Sequence, residues 1–174
     1  MSRVISGRYG GLFLRNPRHA IRPTTGKIKE YIFNVLQPFE AAHAIDLFSG
    51  TGALGIEALS RGAEYVTFVD NNYHSIKLIK ENLQRINAER DTWQCYKANA
   101  LHFLERSKEC YDIIFADPPY GLDIPEEFFR SCREHLRNSG IFVLEYSAKK
   151  TIATGYWKHF RYKEMGDTAV WMFR

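Results

Sequence analysis

The regular alternation of short apolar runs with amphipathic segments constrains the fold of this chain more than any other feature. Strand-like runs, rich in β-branched and aromatic residues, lie near 43–48, 65–70, 93–98, 111–116 and 140–146. Helix-like segments follow the first four of them, near 53–60, 72–87, 100–107 and 125–137. We expect Asn138-Ser139-Gly140 to end the last helix. Strands that alternate with helices indicate right-handed βαβ crossovers and a parallel sheet.

The C-terminus departs from this alternation. Tyr156–Glu164 and Thr168–Phe173 are strand-like runs joined by Met165-Gly166-Asp167, with no helix between them. Such a pair predicts a hairpin, so the last strand must run antiparallel to its neighbour. Five βα repeats closed by a β-hairpin make an α/β fold that differs from the usual nicotinamide domain, whose sheet is parallel throughout.

The N-terminal segment has its own organisation. Arg3–Ser6 and Leu12–Leu14, separated by glycines, predict a small hairpin. An amphipathic helix follows, with its apolar side formed by Ile28, Ile32, Phe33, Val35 and Leu36. We expect Thr24 or Thr25 to cap this helix and Pro38 to end it. Residues 1–37 therefore form a basic hairpin-and-helix region, and residues 38–174 form the α/β domain.

Charge is distributed unevenly along the chain. The net charge is +4, but residues 1–30 carry seven basic residues against the single acid Glu30. The basic residues are Arg3, Arg8, Arg15, Arg18, Arg22, Lys27 and Lys29. A polyanion-binding arm and a solvated tail explain this surplus equally well on charge alone.

Composition narrows the class of protein. With 174 residues, 45% hydrophobic and 25% charged, the chain is typical of one soluble domain. It has neither an apolar run of transmembrane length nor the apolar core of a signal peptide. Three widely spaced cysteines, without clustered histidines, favour neither disulfides nor a metal site. We expect a cytoplasmic protein with no membrane association and no metal, and nothing demands more than a monomer.

A glycine-rich loop follows the strand-like run near 43–48, the first of the α/β domain. Gly50, Gly52 and Gly55 match G-x-G-x-x-G between a strand and a helix, where backbone N–H groups face a ligand. Asp70 ends the next strand, 20 positions after Gly50, where a carboxylate can accept both ribose hydroxyls of an adenosine. A tight βα turn with a capping acid is the plainer alternative.

Both NAD and S-adenosylmethionine (AdoMet) bind to loops of this kind. Asp46, just before the glycines, would repel a pyrophosphate but pair with the α-ammonium group of AdoMet. No hydride-transfer pattern is present in the sequence. AdoMet is therefore the expected donor, and its predicted site consists of Asp46, Phe48, Gly50, Gly52, Asp70, Asn71, Asn99, Ala100 and Asp117. Phe48 is equally suited to the core, and Asn99 to capping the following helix.

Asp117-Pro118-Pro119-Tyr120 leaves the fourth strand at its carboxyl end. Two prolines cannot continue the strand ladder, so the backbone must leave the sheet at the edge where such sheets bind ligands. Asp117 and the Pro118 carbonyl can accept N–H bonds from a nucleobase amine, and Tyr120 can stack on the base. Packing of Tyr120 on the proline pair is the structural alternative. The predicted catalytic group is Asp117, Pro118 and Tyr120.

Taken together, these motifs resemble the RsmD-type family of 16S ribosomal RNA guanine-N2 methyltransferases. The resemblance rests on Asp117-Pro-Pro-Tyr, Asp46-Leu-Phe-Ser-Gly-Thr-Gly-Ala-Leu-Gly, Arg22-Pro-Thr-Thr and the opening Arg3-Val-Ile-Ser-Gly-Arg-Tyr-Gly-Gly. It implies a class I Rossmann-like methyltransferase with a mostly parallel seven-stranded sheet, AdoMet as donor and one guanine of 16S rRNA, free or in an assembling subunit, as target. It also implies RNA binding by Arg3, Arg8, Arg15, Arg18, Arg22, Thr24 and Lys27.

This chain departs from the family at three places. Asn99 stands where aspartate is usual, Lys27 and Lys29 where arginines are commoner, and Tyr146 where histidine is frequent. Three other functions remain open from the sequence. The enzyme could methylate DNA adenine or a protein glutamine, the glycine loop could serve a nicotinamide oxidoreductase, and the basic arm could belong to a non-catalytic RNA-binding protein.

Overall fold

A computed structural model of the chain describes residues 2–16, 26–36, 39, 41–155 and 157–174. The helices are α1 (Gly26–Val35), α2 (Ala53–Ser60), α3 (Tyr73–Arg85), α4 (Ala100–Arg106) and α5 (Glu126–Glu134). The strands are β1 (Ser2–Arg3), β2 (Phe13–Leu14), β3 (His43–Leu47), β4 (Tyr65–Asp70), β5 (Trp93–Lys97), β6 (Tyr111–Ala116), β7 (Leu136–Ser147), β8 (His159–Met165) and β9 (Thr168–Phe173).

Seven strands form one sheet in the order β5-β4-β3-β6-β7-β9-β8. The strands from β3 to β7 pair in parallel, whereas β9 runs antiparallel to both β7 and β8. The chain moves outward from β3 to β5 and then returns to the other side of β3 with β6. The predicted fold class is therefore confirmed, and the switch point of the sheet lies between β3 and β6.

Alternating side chains on each strand produce two apolar layers. On β3, Ala44 belongs to the layer that contains side chains of α1, α2 and α3, and Ile45 belongs to the layer that contains those of α4 and α5. The first layer also includes Val4, Tyr9 and Leu14 of the N-terminal hairpin. The predicted hairpin of β1 and β2 therefore packs against the helices instead of extending into solvent.

A buried carboxylate fixes the N-terminal hairpin to the domain. Glu57 of α2 is fully buried and accepts hydrogen bonds from the backbone N–H groups of Ile5 and Ser6, at 2.8 and 3.1 Å. Its two oxygens also bind Lys29 Nζ, at 3.3 Å, and Arg61 Nε, at 2.9 Å. Lys29 is 1% exposed. Its inclusion in the polyanion-binding arm is therefore wrong, because the ammonium group lies in the interior.

The predicted end of the fourth βα helix is also wrong. The sequence predicts a helix that reaches about residue 137 and ends at Asn138-Ser139-Gly140. Instead α5 ends at Glu134, and β7 begins at Leu136 and includes that triplet. His135 is the C-cap of α5, and its ring nitrogens lie 2.8 and 3.2 Å from the carbonyl oxygens of Ser131 and Ser107. Tyr111 of β6 pairs with Leu136 of β7, but Ile113 pairs with Ile141. β7 therefore has extra, bulged residues opposite this part of β6.

Several predictions concern residues outside the described ranges. They are the caps at Thr24 and Thr25, the helix end at Pro38, and the RNA-binding residues Arg18, Arg22 and Thr24. In the part of the chain that is described, no helix combines the length and apolarity needed to cross a membrane.

Candidate active site

A cavity of about 770 Å³ lies at the switch point, at the carboxyl ends of β3, β4, β6 and β7. It brings together eight of the predicted site residues: Asp46, Phe48, Gly50, Asp70, Asn71, Asp117, Pro118 and Tyr120. Ser49, Thr51, Ala53, Leu54, Asn72, Ser75, Pro119, Gly121, Leu122 and Glu145 complete the lining. The glycine loop and the Asp-Pro-Pro-Tyr turn are separated in sequence by three helix–strand units, α2 to β6, and they nevertheless face one space.

The glycine loop has a conformation that explains its composition. Gly52 precedes α2 with φ 77°, in the left-handed region that favours glycine. A Cβ on Gly55 would lie 2.3 Å from the Phe68 ring, so only glycine allows α2 to pack this closely on the sheet. Gly52 itself lies outside the cavity lining, and its predicted part in donor binding stays a prediction.

Asp46 links β3 to the first turn of α2. Its carboxylate accepts the Gly55 N–H at 2.9 Å and is 1% exposed. Burial is the main cause that raises the pKa of Asp46 well above its usual value, and the nearby charges of Asp117 and Asp70 raise it further. A cation placed in the cavity beside Asp46 would offset these effects.

Asp70 closes the other side of the glycine loop. One carboxylate oxygen accepts the Gly50 N–H at 2.9 Å, and the other accepts the Asn72 N–H at 2.8 Å. Each carboxylate oxygen has a second lone pair, so Asp70 can still accept two hydroxyl donors from a ligand. Two hydroxyls of one ribose could occupy these positions, and the predicted ribose contact of Asp70 stays a prediction.

The Asp117 turn is held against both neighbouring strands. The Asp117 N–H lies 3.4 Å from the Leu47 carbonyl oxygen of β3, and the Asp117 side chain, half-buried, lines the cavity. The Tyr120 hydroxyl shares a hydrogen bond with Thr168 Oγ1, and its ring meets that of Tyr146 edge-on, with centroids 6.0 Å apart. Tyr120 is therefore held by its hydroxyl and one ring contact while it lines the cavity.

The cavity has a strong charge character. Four carboxylates line it, those of Asp46, Asp70, Asp117 and Glu145, and its described lining includes no lysine, arginine or histidine. Such a cavity attracts a cationic ligand and repels a phosphate or pyrophosphate group.

Sequence reasoning missed Glu145. It is 4% exposed and lies on β7, one position beyond Leu144, which pairs with Ala116. This register places Glu145 level with Asp117 at the same sheet edge. The strand-end argument that selected Asp117 therefore contained the signal for Glu145, since both acids come at the ends of predicted parallel strands.

Asn99 and Ala100 lie outside the lining of this cavity. The Asn99 side chain caps α4 by accepting the His102 N–H at 3.1 Å, which is the capping alternative. It borders a separate groove of about 780 Å³ beside α4, with Tyr96 and Phe103 among the lining residues. Ala100 is buried in the apolar layer beneath α4 and α5. The predicted adenine contacts at both residues stay predictions.

The described residues of the predicted RNA-binding arm fall into two groups. Arg8 forms an ion pair with Glu89 at 2.6 Å, and Arg15 forms one with Glu81 at 3.4 Å. The Arg3 guanidinium lies 5.9 Å from the centre of the Phe13 ring, and Lys27 is exposed at the start of α1. Arg8 and Arg15 are thus partly neutralised. Neither Arg3 nor Lys27 has a carboxylate partner in the described part of the chain.

The chain is similar in sequence to a known protein family and to several named proteins. The family model described as "Conserved hypothetical protein 95" matches residues 2–174. YlbH of Bacillus subtilis, provisionally named an rRNA methyltransferase, is 42% identical over 123 residues, which cover 68% of this chain and 66% of YlbH. Ribosomal RNA small subunit methyltransferase D of Haemophilus influenzae is 30% identical over 159 residues, covering 87% of this chain and 82% of the relative.

A solved structure agrees with the sequence relatives. The Escherichia coli protein yhhF, provisionally described as a methyltransferase, superposes with a TM-score of 0.85 and 30% identity. The superposition covers 99% of this chain and 96% of that chain. The common fold thus extends from the N-terminal hairpin to the antiparallel C-terminal strand.

Proposed function

The chain belongs to the RsmD-type family described as "Conserved hypothetical protein 95", and on this premise we propose that it is an AdoMet-dependent rRNA methyltransferase that acts on the N2 amine of a guanine in 16S rRNA. One observation carries the proposal. The glycine loop with its two acids and the Asp117 turn line the same cavity of about 770 Å³. A methyl donor and an amine acceptor can therefore meet in one cavity.

The charge of the cavity supports AdoMet as the donor. AdoMet carries a sulfonium and an ammonium cation against one carboxylate, whereas NAD carries an anionic pyrophosphate. Asp46 lies beside the N-terminus of α2, where it suits the ammonium group, and Asp70 suits the ribose hydroxyls. Four lining carboxylates would repel NAD, so a nicotinamide oxidoreductase does not fit this cavity.

The Asp117 turn supports an amine of a planar base as the acceptor. The lone pair of such an amine is delocalised into the ring, which makes the nitrogen a poor nucleophile. Hydrogen bonds from its two N–H groups to the Asp117 carboxylate and the Pro118 carbonyl favour a tetrahedral nitrogen with its lone pair directed at the sulfonium methyl. The nitrogen would then attack the methyl carbon in line, so that the N–C bond forms as the C–S bond breaks. The neutral thioether S-adenosylhomocysteine would leave with the electron pair, and the methylated amine would lose a proton. Catalysis thus depends on positioning and on negative charge placed where positive charge develops.

RNA as the macromolecular substrate rests on the N-terminal region and on the named relatives. Arg3 and Lys27 are exposed cations on the hairpin and on α1. The hairpin is fixed to α2 through Glu57, and α2 begins at the glycine loop, so these cations have set positions relative to the donor site. A base can enter the acid-lined cavity only if its phosphates stay outside, which requires the nucleotide to be flipped out of its stack.

The deciding experiment identifies the methylated nucleoside. The purified protein is incubated with radiolabelled AdoMet and small ribosomal subunits from cells that lack the gene, and subunits from cells that contain it serve as the matched control. We expect label in N2-methylguanosine after digestion of the 16S RNA, and only with the unmethylated subunits. Label in another nucleoside or in a ribosomal protein would contradict the guanine assignment. Saturable NAD binding without AdoMet binding would contradict the enzyme class.

A further inference from the structure

Two hydroxyl groups, that of Thr168 on β9 and that of Tyr146 on β7, contact the Asp117–Tyr120 turn, which forms the target side of the cavity. We infer that Thr168 and Tyr146 are positioning residues, which fix the Tyr120 ring and the backbone that follows it so that a base can stack there. This inference rests on the proposed function and deepens it, because it assigns the base-stacking surface and the residues that hold it.

Thr168 holds the end of the Tyr120 side chain. Its hydroxyl shares a hydrogen bond with the Tyr120 hydroxyl across 48 residues of sequence. Thr168 is fully buried at the start of β9 and pairs with Ser147 on one side and Met165 on the other. Because strands flank it on both sides, the hydroxyl that Tyr120 meets has a fixed position.

Tyr146 holds the backbone of the same turn. It is 1% exposed, and its hydroxyl donates to the Leu122 carbonyl oxygen and lies 3.4 Å from that of Tyr120. Its ring lies nearly perpendicular to that of Tyr120, at 88°. Both Tyr120 and Leu122 line the cavity, so Tyr146 supports two lining residues without lining it itself.

The turn that leads into β9 strengthens this support. The Ala148 N–H donates to the Asp167 carbonyl oxygen at 3.0 Å, so the residue before Thr168 is tied to the segment after β7. The Tyr120 ring is consequently ordered before any base arrives. A base that stacks on an ordered ring does not have to immobilise it, and this increases affinity for the flipped base.

The test uses substitutions that remove one hydroxyl each. Thr168→Val and Tyr146→Phe keep shape and lose the hydrogen bond, and Thr168→Ser restores the hydroxyl. Tyr162→Phe is the matched control, because Tyr162 is 42% exposed on the same hairpin and its hydroxyl binds only Glu164 among the described residues. Measured quantities are kcat and KM for the RNA substrate, the AdoMet dissociation constant and the melting temperature.

We expect kcat/KM for RNA to fall about 3- to 10-fold in Thr168→Val and in Tyr146→Phe, as for loss of one hydrogen bond. The AdoMet dissociation constant should stay within about twofold, and Thr168→Ser should recover most of the activity. In a Tyr120→Ala background, Thr168→Val should cause no further loss, because its partner is already gone.

Three results would overturn the inference. The first is an unchanged kcat/KM in Thr168→Val. The second is a loss of AdoMet affinity in Thr168→Val that parallels the loss of kcat/KM, because this would indicate general loosening of the structure. The third is an undiminished effect of Thr168→Val in the Tyr120→Ala background. A wild-type protein that transfers no methyl group to RNA contradicts the proposed function itself, and the inference falls with it. An active wild-type protein with unaffected variants contradicts the inference alone.

Discussion

The donor side and the target side of the cavity are built in different ways. On the donor side, acids hold backbone N–H groups close in sequence: Asp46 binds Gly55, nine residues away, and Asp70 binds Gly50, 20 residues away. On the target side, Tyr120 meets Thr168 across 48 residues, and both members of the pair are side chains. The donor side is therefore a local motif, whereas the target side depends on assembly of the whole sheet.

Burial of the acids separates the two sides as well. Asp46 is 1% exposed and accepts the Gly55 N–H, and burial raises the pKa of its carboxyl, an effect that a cation bound on the donor side would offset. Asp117 is half-buried, its turn makes hydroxyl and ring contacts, and Glu145 lies level with it at the same sheet edge. Substitutions on the donor side should thus change AdoMet affinity, and those on the target side should change turnover.

Asp117→Asn should show the largest difference between an effect on turnover and an effect on AdoMet affinity. Loss of the carboxylate removes the acceptor and the negative charge that stabilise the developing cation. We expect kcat to fall about 10²- to 10³-fold, as when a preorganised electrostatic group is removed from other active sites. The AdoMet dissociation constant should stay near the wild-type value. Single-turnover methyl transfer and equilibrium AdoMet binding measure the two quantities, and a variant that loses both in proportion would break the division into two sides.

Asp70→Asn is the donor-side counterpart. The amide cannot accept hydrogen bonds from both Gly50 N–H and Asn72 N–H and also from two ribose hydroxyls, whereas the carboxylate can. We expect the AdoMet dissociation constant to rise about 10- to 100-fold, as for loss of charge-assisted hydrogen bonds. At saturating AdoMet, kcat should recover to within a few-fold of wild type. Persistent loss of kcat under saturation would mean that Asp70 also shapes the target side.

Asp46→Asn tests the raised pKa. Because the pKa of the folded state exceeds that of the unfolded state, the contribution of Asp46 to stability is complete below the unfolded pKa, near 4. It is lost as the pH rises through the folded pKa. Asparagine keeps an oxygen for the Gly55 N–H and avoids this loss. Without ligand, Asp46→Asn should therefore melt higher than wild type at neutral pH, by about 2–4 °C for each kcal/mol gained, and the difference should shrink on acidification.

In the presence of AdoMet, Asp46→Asn should lower the melting temperature relative to wild type instead of raising it. The ammonium group favours ionised Asp46, so binding to the wild-type protein releases a proton below the folded pKa of Asp46 and tightens as the pH rises. Titration calorimetry in two buffers of different ionisation enthalpy measures the released protons. Asp46→Asn should bind AdoMet more weakly and release fewer protons. Equal proton release by the two proteins would place the titrating group elsewhere.

The two sides also differ in how far the sequence predicts them. Gly50, Gly52, Gly55 and Asp70 follow from one strand–loop–helix pattern, because the hydrogen bonds between Asp46 and Gly55 and between Asp70 and Gly50 lie within the single crossover from β3 to β4. The partner of Tyr120 cannot be read in this way, since β9 reaches it only after the antiparallel hairpin has formed. The Asp-Pro-Pro-Tyr turn predicts where Tyr120 lies, but not what holds it.

The errors have a similar physical origin. Lys29 has the charge of an RNA-binding residue, and only the tertiary partner Glu57 explains its burial. The end of α5 was placed at a turn-forming triplet, but the helix ends earlier, with His135 as its C-cap, and Gly140 lets the extra residues of β7 fold back, since a Cβ there would lie 2.7 Å from Leu136 Cγ. Composition alone cannot distinguish a helix end from a bulge.

The smallest expected effect concerns the proposed RNA-binding region and compares two of its cations. Lys27 is exposed without a carboxylate partner in the described residues, whereas Arg8 must give up its Glu89 ion pair before it can bind a phosphate. Lys27→Gln should therefore weaken RNA binding about threefold and reduce the salt dependence of log K by about 0.7–0.9, as for one lost phosphate contact. Arg8→Gln should have a smaller effect on both the RNA affinity and its salt dependence. RNA affinity measured from 50 to 200 mM salt decides the order, and a larger effect for Arg8 would mean that RNA displaces Glu89 from Arg8.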